Sequence, residues 1–126
     1  MYFLNYLFWA ILYPLICTIV IECGLALVIT KNFRFTYCVL LCNMLTNPLL
    51  NLVLIILSTT ILKAENPLFY CITGILEITV IITEAWLLIK MQNLSIKKAI
   101  AISFVLNISS VGIGFFLQNA GIVGYS

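Results

Sequence analysis

Apolar residues fall into four long runs along this chain, and three short polar breaks separate them. The breaks are Lys31-Asn32-Phe33-Arg34, Lys63-Ala64-Glu65-Asn66-Pro67 and Met91 to Ser95, the last leading into Lys97-Lys98. Each run reaches or exceeds the roughly 20 residues that cross about 30 Å of hydrocarbon at about 1.5 Å per residue. Lipid offers no hydrogen-bond partner to an open sheet edge, so the runs are read as helices. The expected spans are 3–30, 35–62, 68–90 and 97–122. Pro14 and Pro48 fall inside the first two as candidate kinks, and Pro67 suits the first turn of the third. Loops this short make sequence neighbours antiparallel. The fold class is therefore all-α: an integral membrane bundle of four transmembrane helices, one transmembrane domain over residues 1–126.

Composition sharpens this picture. The chain is 64% hydrophobic and 8% charged, with a mean hydropathy of +1.24. A soluble domain carries roughly 25% charged residues, so the expected surroundings are a lipid bilayer. The segment after Met1 has no basic region before its apolar run and no small-residue cleavage site after it. It is expected to be a retained helix and not a cleaved signal peptide. A net charge of +2 gives no reason to expect a nucleic-acid partner.

Charge also orients the chain. Lys31, Arg34, Lys90, Lys97 and Lys98 lie at the first and third breaks, and only Lys63 lies at the second, beside Glu65. The positive-inside bias puts loops 31–34 and 90–98 in the cytoplasm and both termini outside, in a multi-pass protein of the cell membrane. Tyr2, Phe3, Tyr6, Phe8 and Trp9 would then form an aromatic belt at the outer interface.

The two halves can be superposed. Glu22 in Thr18-Ile19-Val20-Ile21-Glu22-Cys23 corresponds to Glu84 in Val80-Ile81-Ile82-Thr83-Glu84-Ala85. Asn43-x-x-Thr46-x-Pro48 corresponds to Asn107-x-x-Ser110-x-Gly112, and Arg34 and Lys98 each precede the asparagine by nine residues. Either apolar hairpins resemble one another by composition alone, or this is a parallel repeat about an axis along the membrane normal, as in transporter folds with a site at the repeat interface. A repeat predicts two Glu-Asn-hydroxyl sets facing each other across a pseudo-twofold axis.

Those sets contain the residues able to carry chemistry. Glu22, Glu77 and Glu84 lie inside expected spans, where a charged group costs roughly 2.5–3.5 kcal/mol. Each must be protonated, paired or facing water. Counted from the cytoplasmic helix ends, Glu22 and Glu84 lie about 9 to 12 Å deep and Asn43 and Asn107 about 12 to 15 Å. Glu77 lies nearer the midplane, on the same helix face as Glu84. Asn43, Asn47 and Asn51 form an amide stripe beside Thr46, and Pro48 frees the carbonyl of Met44. Together these would suit a cation or an organic ammonium. The bland alternative is helix packing: asparagine and hydroxyl side chains join membrane helices by bonds of roughly 0.6 to 2 kcal/mol. Ala99, Ser103, Asn107, Ser110, Gly114 and Gly121 form a small-residue face on the fourth helix that reads first as close packing. For three acids with no buried basic residue to pair them, function is the better reading.

Five cysteines accompany them. Cys38 and Cys42 share a helix face, which would suit a soft-metal or redox pair. With no His and no C-x-x-C present, small apolar filler is the simpler reading. The chain has no His and no Asp, which removes the Ser-His-Asp triad and the H-E-x-x-H zinc site. No cofactor is called for, and an enzyme is not expected.

The combination Asn43-x-x-Thr46-Asn47-Pro48-x-x-Asn51, Glu77-x-x-Val80-x-x-x-Glu84-Ala85 and Asn107-x-x-Ser110 resembles a group of small bacterial membrane proteins. The resemblance implies a four-helix membrane protein and brings no activity with it. The sequence reading is a small transporter or channel-like protein handling a cation, proton or cationic solute, as a homo-oligomer or within a larger membrane complex. Glu22 and Glu84 would be the binding or protonation pair, Asn43 and Asn107 their positioning partners, and Glu77 a relay. The alternative is a non-catalytic membrane subunit that docks into a larger complex.

Overall fold

The computed structural model describes residues 1–61, 63 and 65–120. They form four helices: α1 (Tyr2–Thr30), α2 (Phe33–Thr60), α3 (Pro67–Gln92) and α4 (Ile96–Asn119). All four are long and apolar enough to cross a membrane, and the chain is an all-α multi-pass membrane bundle. The expected ends at Leu62 and Ile122, and Gly121, lie outside the described residues.

The helix ends follow local chemistry. Phe33 and Arg34, expected in the first break, belong instead to the first turn of α2. The Asn32 side chain caps it by accepting from the N–H groups of Arg34 (2.9 Å) and Phe35 (3.4 Å). Only Lys31 and Asn32 then join α1 to α2, and Lys31 turns the chain in the left-handed region with φ 50°. At α3, Asn66 accepts from Leu68 N–H at 3.0 Å ahead of Pro67, which fits the first turn because its missing N–H has no intrahelical role there. α3 runs two residues past Lys90 and stops where Asn93 adopts φ 50°. Lys31 and Asn93 occupy corresponding places at the α1/α2 and α3/α4 turns. Both hairpins therefore reverse by the same device.

The helices form a ring in which α1 packs on α2 and α4, and α3 on α2 and α4; the diagonal pairs do not meet. Packing is uneven along the bundle. Ala26, Phe35, Cys38, Val39, Ala85, Leu88, Ala99 and Leu106 make one core on the side of the 31–32 and 93–95 turns. Every buried residue described lies in this half or at its border, between residues 22 and 46 or between 84 and 106. Toward the other end the helices leave space. Gly114, read as part of a close-packing face, is exposed and a methyl group there would meet nothing within 4 Å. The small-residue face is a contact surface at Ala99 and Ser103, both buried, and ceases to be one by Gly114.

The outward faces are mainly apolar, with Val20, Val28, Leu45, Leu49, Ile82 and Phe104 all exposed, and exposed threonines such as Thr60 and Thr79 bond back to their own helix carbonyls, as lipid contact requires. Tyr2, Phe3, Tyr6, Phe8 and Trp9 are exposed on the first turns of α1. At the opposite end, the Lys90 ammonium reaches over the Trp86 ring, 6.0 Å from its centroid, with its apolar stem along the helix surface.

Candidate functional site: a ring of hydrogen bonds around two glutamates

At the border between the packed half and the open half, Glu22 (0% exposed) and Glu84 (4%) point inward. The Asn43 amide of α2 donates to Glu22 Oε2 at 2.9 Å, and the Ser110 hydroxyl of α4 lies 2.8 Å from Glu22 Oε1. The Thr46 hydroxyl of α2 lies 2.8 Å from Glu84 Oε1, and the Asn107 amide of α4 donates to Glu84 Oε2. Each of the four helix interfaces is thus bridged by a side chain bonded to a glutamate: α1/α2 through Asn43, α2/α3 through Thr46, α3/α4 through Asn107 and α4/α1 through Ser110. The contacts close on themselves, with a carboxyl group in every second helix.

The two Glu-Asn pairings are those suggested by superposing the halves. The hydroxyls are exchanged: Thr46 serves the glutamate of the second hairpin and Ser110 that of the first. Helix periodicity explains this. A residue three positions on from the asparagine is turned by about 60° from it, so asparagine and hydroxyl address the neighbours on either side. Both asparagines are anchored alike, Asn43 to Val39 O (3.1 Å) and Asn107 to Ser103 O (2.9 Å). Both amide hydrogens are then in use.

One departure from twofold symmetry is Ser103, where the first hairpin has Val39. Its hydroxyl donates to Ile81 O at 2.9 Å and lies 3.5 Å from Glu84 Oε2. The sequence reading placed Ser103 among packing residues; its position one turn before Asn107 is the signal that would have placed it beside the carboxylate.

The hydroxyls decide what the site can do. Thr46 Oγ1 stands 3.0 Å from Cys42 O as well as 2.8 Å from Glu84. Ser110 Oγ stands 2.9 Å from Asn107 O as well as 2.8 Å from Glu22. A hydroxyl has one hydrogen and faces two acceptors in each case. With the carboxylate ionised, the hydroxyl gives its hydrogen to the carboxylate. With the carboxyl protonated, the carboxyl donates to the hydroxyl, which turns its own hydrogen to the helix carbonyl. Heavy-atom positions serve both states, so each set can gain or lose a proton by rotation of a hydroxyl. Among the described residues, every hydrogen-bond partner of Glu22 and Glu84 is neutral.

On the open side of the ring lies a cavity of about 230 Å³. Asn43, Thr46, Asn107, Ser110 and Glu84 border it, joined by Asn47, Asn51 and Glu77. Glu22 is not among its lining residues and lies behind Asn43 and Ser110. Asn47 and Asn51, the rest of the amide stripe, bond to each other at 2.6 Å. Met44 does not line the cavity and its side chain is exposed, so the carbonyl freed by Pro48 does not join the oxygen groups gathered here. Glu77 is half-buried in the wall with no hydrogen bond to the ring. A relay through Glu77 therefore has no direct bonded route in this structure.

Cys38 accepts from the Gln92 amide at 3.0 Å, and Cys42 is buried one turn further along α2. Among the described residues, no three His, Cys, Asp or Glu side chains come together as a metal site.

Fold and site define a four-helix membrane bundle with two buried, hydrogen-bonded glutamates at its centre. No protein-family model, curated protein or solved structure matches the chain.

Proposed function

We propose that the chain is a small transporter or channel-like protein of the cell membrane that handles a proton or other cation through its ring of buried glutamates. The supporting observation is the pair of hydroxyls, Thr46 and Ser110, each poised between a carboxyl oxygen and a helix carbonyl. Such a hydroxyl accommodates a proton arriving at or leaving the carboxyl without repacking the helices. Glu22 and Glu84 are the protonation pair in this reading, and Asn43 and Asn107 hold them in place. The basic turns 31–34 and 90–98 face the cytoplasm and the termini lie outside, so the packed half is the cytoplasmic barrier and the cavity faces outward. The reading involves no catalytic step, and the apolar exterior is available to further copies of the chain or to a larger complex.

The test is proton flux into liposomes carrying the purified protein and an entrapped pH dye, driven by a potassium diffusion potential. Wild type is expected to acidify the lumen, and Glu22→Gln/Glu84→Gln to lose at least nine-tenths of that rate while keeping the helical circular-dichroism spectrum. A wild-type rate equal to that of empty liposomes would overturn the proposal. It would turn the assignment to a non-catalytic membrane subunit, a reading favoured by one observation: the carboxyl oxygens of the ring are all partnered within the chain, as a purely structural clamp would require.

A further inference from the structure

Glu77 is the acid the ring leaves unused. It is half-buried, lines the cavity, and has no hydrogen-bond or ion-pair partner among the described residues. An ionised side chain in a membrane span is costly without a counter-charge. All six basic residues lie at helix ends or breaks, and none lines this cavity. When Glu77 is ionised, its counter-charge therefore comes from outside the chain.

The walls specify what could supply it. Pro14, Leu50, Leu54, Val80 and Val111 give the cavity an apolar wall facing its polar groups, and the volume is about 230 Å³. For scale, an apolar cavity of about 150 Å³ takes up benzene. A bare metal ion prefers a shell of six or more oxygens; both Glu84 oxygens that border the cavity are already taken by Thr46 and Asn107, which leaves Glu77 as the carboxylate with free oxygens and falls short of such a shell. A quaternary ammonium is recognised by aromatic faces, and no aromatic residue lines the cavity. A primary or secondary ammonium meets both conditions. Its N–H groups need acceptors, and the wall offers the Glu77 carboxylate and one amide oxygen. The Asn47–Asn51 bond uses one amide oxygen of that pair and leaves the other free, whichever way the amides are turned.

We infer that this cavity binds a small aliphatic ammonium ion, with Glu77 as its counter-ion and the leucine, valine and proline walls holding its chain. The inference rests on the cation-handling reading above but assigns the ligand to Glu77, leaving protons to Glu22 and Glu84.

The experiment is calorimetric titration of the purified full chain in lipid nanodiscs with n-butylammonium, beside tetramethylammonium, sodium and n-butanol. Wild type should bind n-butylammonium in preference to the other three. From methylammonium to butylammonium, affinity should rise about fourfold per methylene as apolar area is buried. Glu77→Gln should weaken binding at least tenfold, and Leu54→Trp, which fills the wall but keeps the acid, should weaken it as well. Absence of n-butylammonium binding to wild type, an equal response to n-butanol, or undiminished binding by Glu77→Gln would each overturn the inference. Glu77 makes no bond whose loss would unfold the chain, so a folded Glu77→Gln protein is expected, and Leu54→Trp gives an independent reading. Proton flux is scored separately: n-butylammonium binding without ring-dependent flux would leave this site standing and remove the transporter reading, and flux without binding would do the reverse.

Discussion

Ser110 Oγ lies 2.8 Å from Glu22 Oε1 across 88 residues of sequence, joining the last helix of the bundle to the first. Thr46 does the same for Glu84 across 38 residues at the same distance. Because the hydroxyls cross between hairpins and the amides stay within them, neither hairpin can complete its own carboxyl site. The two halves are obligatory partners, and the ring makes the α1/α4 closure as specific as the interfaces made by sequence neighbours.

That division of partners predicts the pattern of coupling between sites. Ser110→Ala and Thr46→Val should each lower stability by about 0.6–1.7 kcal/mol, the range of polar side-chain contacts between membrane helices. Combining Ser110→Ala with Glu22→Gln should be strongly non-additive, because both act on one bond. Combining Ser110→Ala with Glu84→Gln should add to within about 0.5 kcal/mol, as independent sites do. Reversible unfolding in mixed micelles, followed by circular dichroism, reads all three; coupling of equal size in both combinations would mean that the ring acts as one unit.

The two asparagines look equivalent in sequence and are not equivalent in consequence. Among the described residues Asn43 is the only donor to Glu22 Oε2, whereas Glu84 Oε2 has Ser103 Oγ 3.5 Å away as well as Asn107. When Asn107 is truncated, the Ser103 hydroxyl can turn from Ile81 O to the carboxylate. Asn43→Ala should cost about 1–3 kcal/mol, the penalty of a buried oxygen left without its donor, and Asn107→Ala about half as much. In a Ser103→Ala background the difference should close, which the same unfolding measurement would detect.

What was legible in the sequence is what hydrophobicity makes conspicuous. A glutamate or asparagine inside an apolar run stands out, and Glu22, Glu84, Asn43 and Asn107 were paired from their positions in the two halves. The spans were legible for the same reason, to within two residues at Phe33 and Gln92. The exchange of Thr46 and Ser110 was not: periodicity fixes the face of a helix and not which neighbour stands on each side of it. Ser103 was hidden because serine in a small-residue face reads as packing until a carboxylate is found beside it. The empty space around Gly114 was hidden too, since small residues permit close approach without enforcing it. Asn32 and Asn66, by contrast, show how a cap can be overlooked among residues read only as a break.

The turn at Lys31 stores strain that a substitution can release. Lys31 has φ 50°, and its N–H bonds to Leu27 O at 2.8 Å as the terminating contact of α1. A side chain in the left-handed region costs roughly 1–2 kcal/mol, which glycine avoids. Asn93 meets the same geometry with a residue better suited to it. Lys31→Gly should therefore raise stability by about 1 kcal/mol, and Asn93→Gly by less. A rise at Asn93 equal to that at Lys31 would show that residue type does not matter at these turns.

Orientation is open to direct measurement at the same turns. Asn32 and Ser95 lie at the two breaks flanked by five of the six basic residues, and Glu65 lies at the opposite end of the bundle beside Lys63. Lys and Arg near span ends favour the cytoplasmic face, so single cysteines at 32 and 95, placed in a background lacking the native five, should resist an impermeant maleimide applied to intact cells. A cysteine at 65 should react. The native thiols must be removed first, because Cys71 is exposed near the α3 end of that same break. The predicted pattern puts the packed half on the cytoplasmic side and the cavity with Glu77 on the outer side, so an ammonium ligand would enter from outside. The reverse labelling pattern would keep the ring and the cavity as described but turn the direction of access around, and the cavity would then sample cytoplasmic solutes.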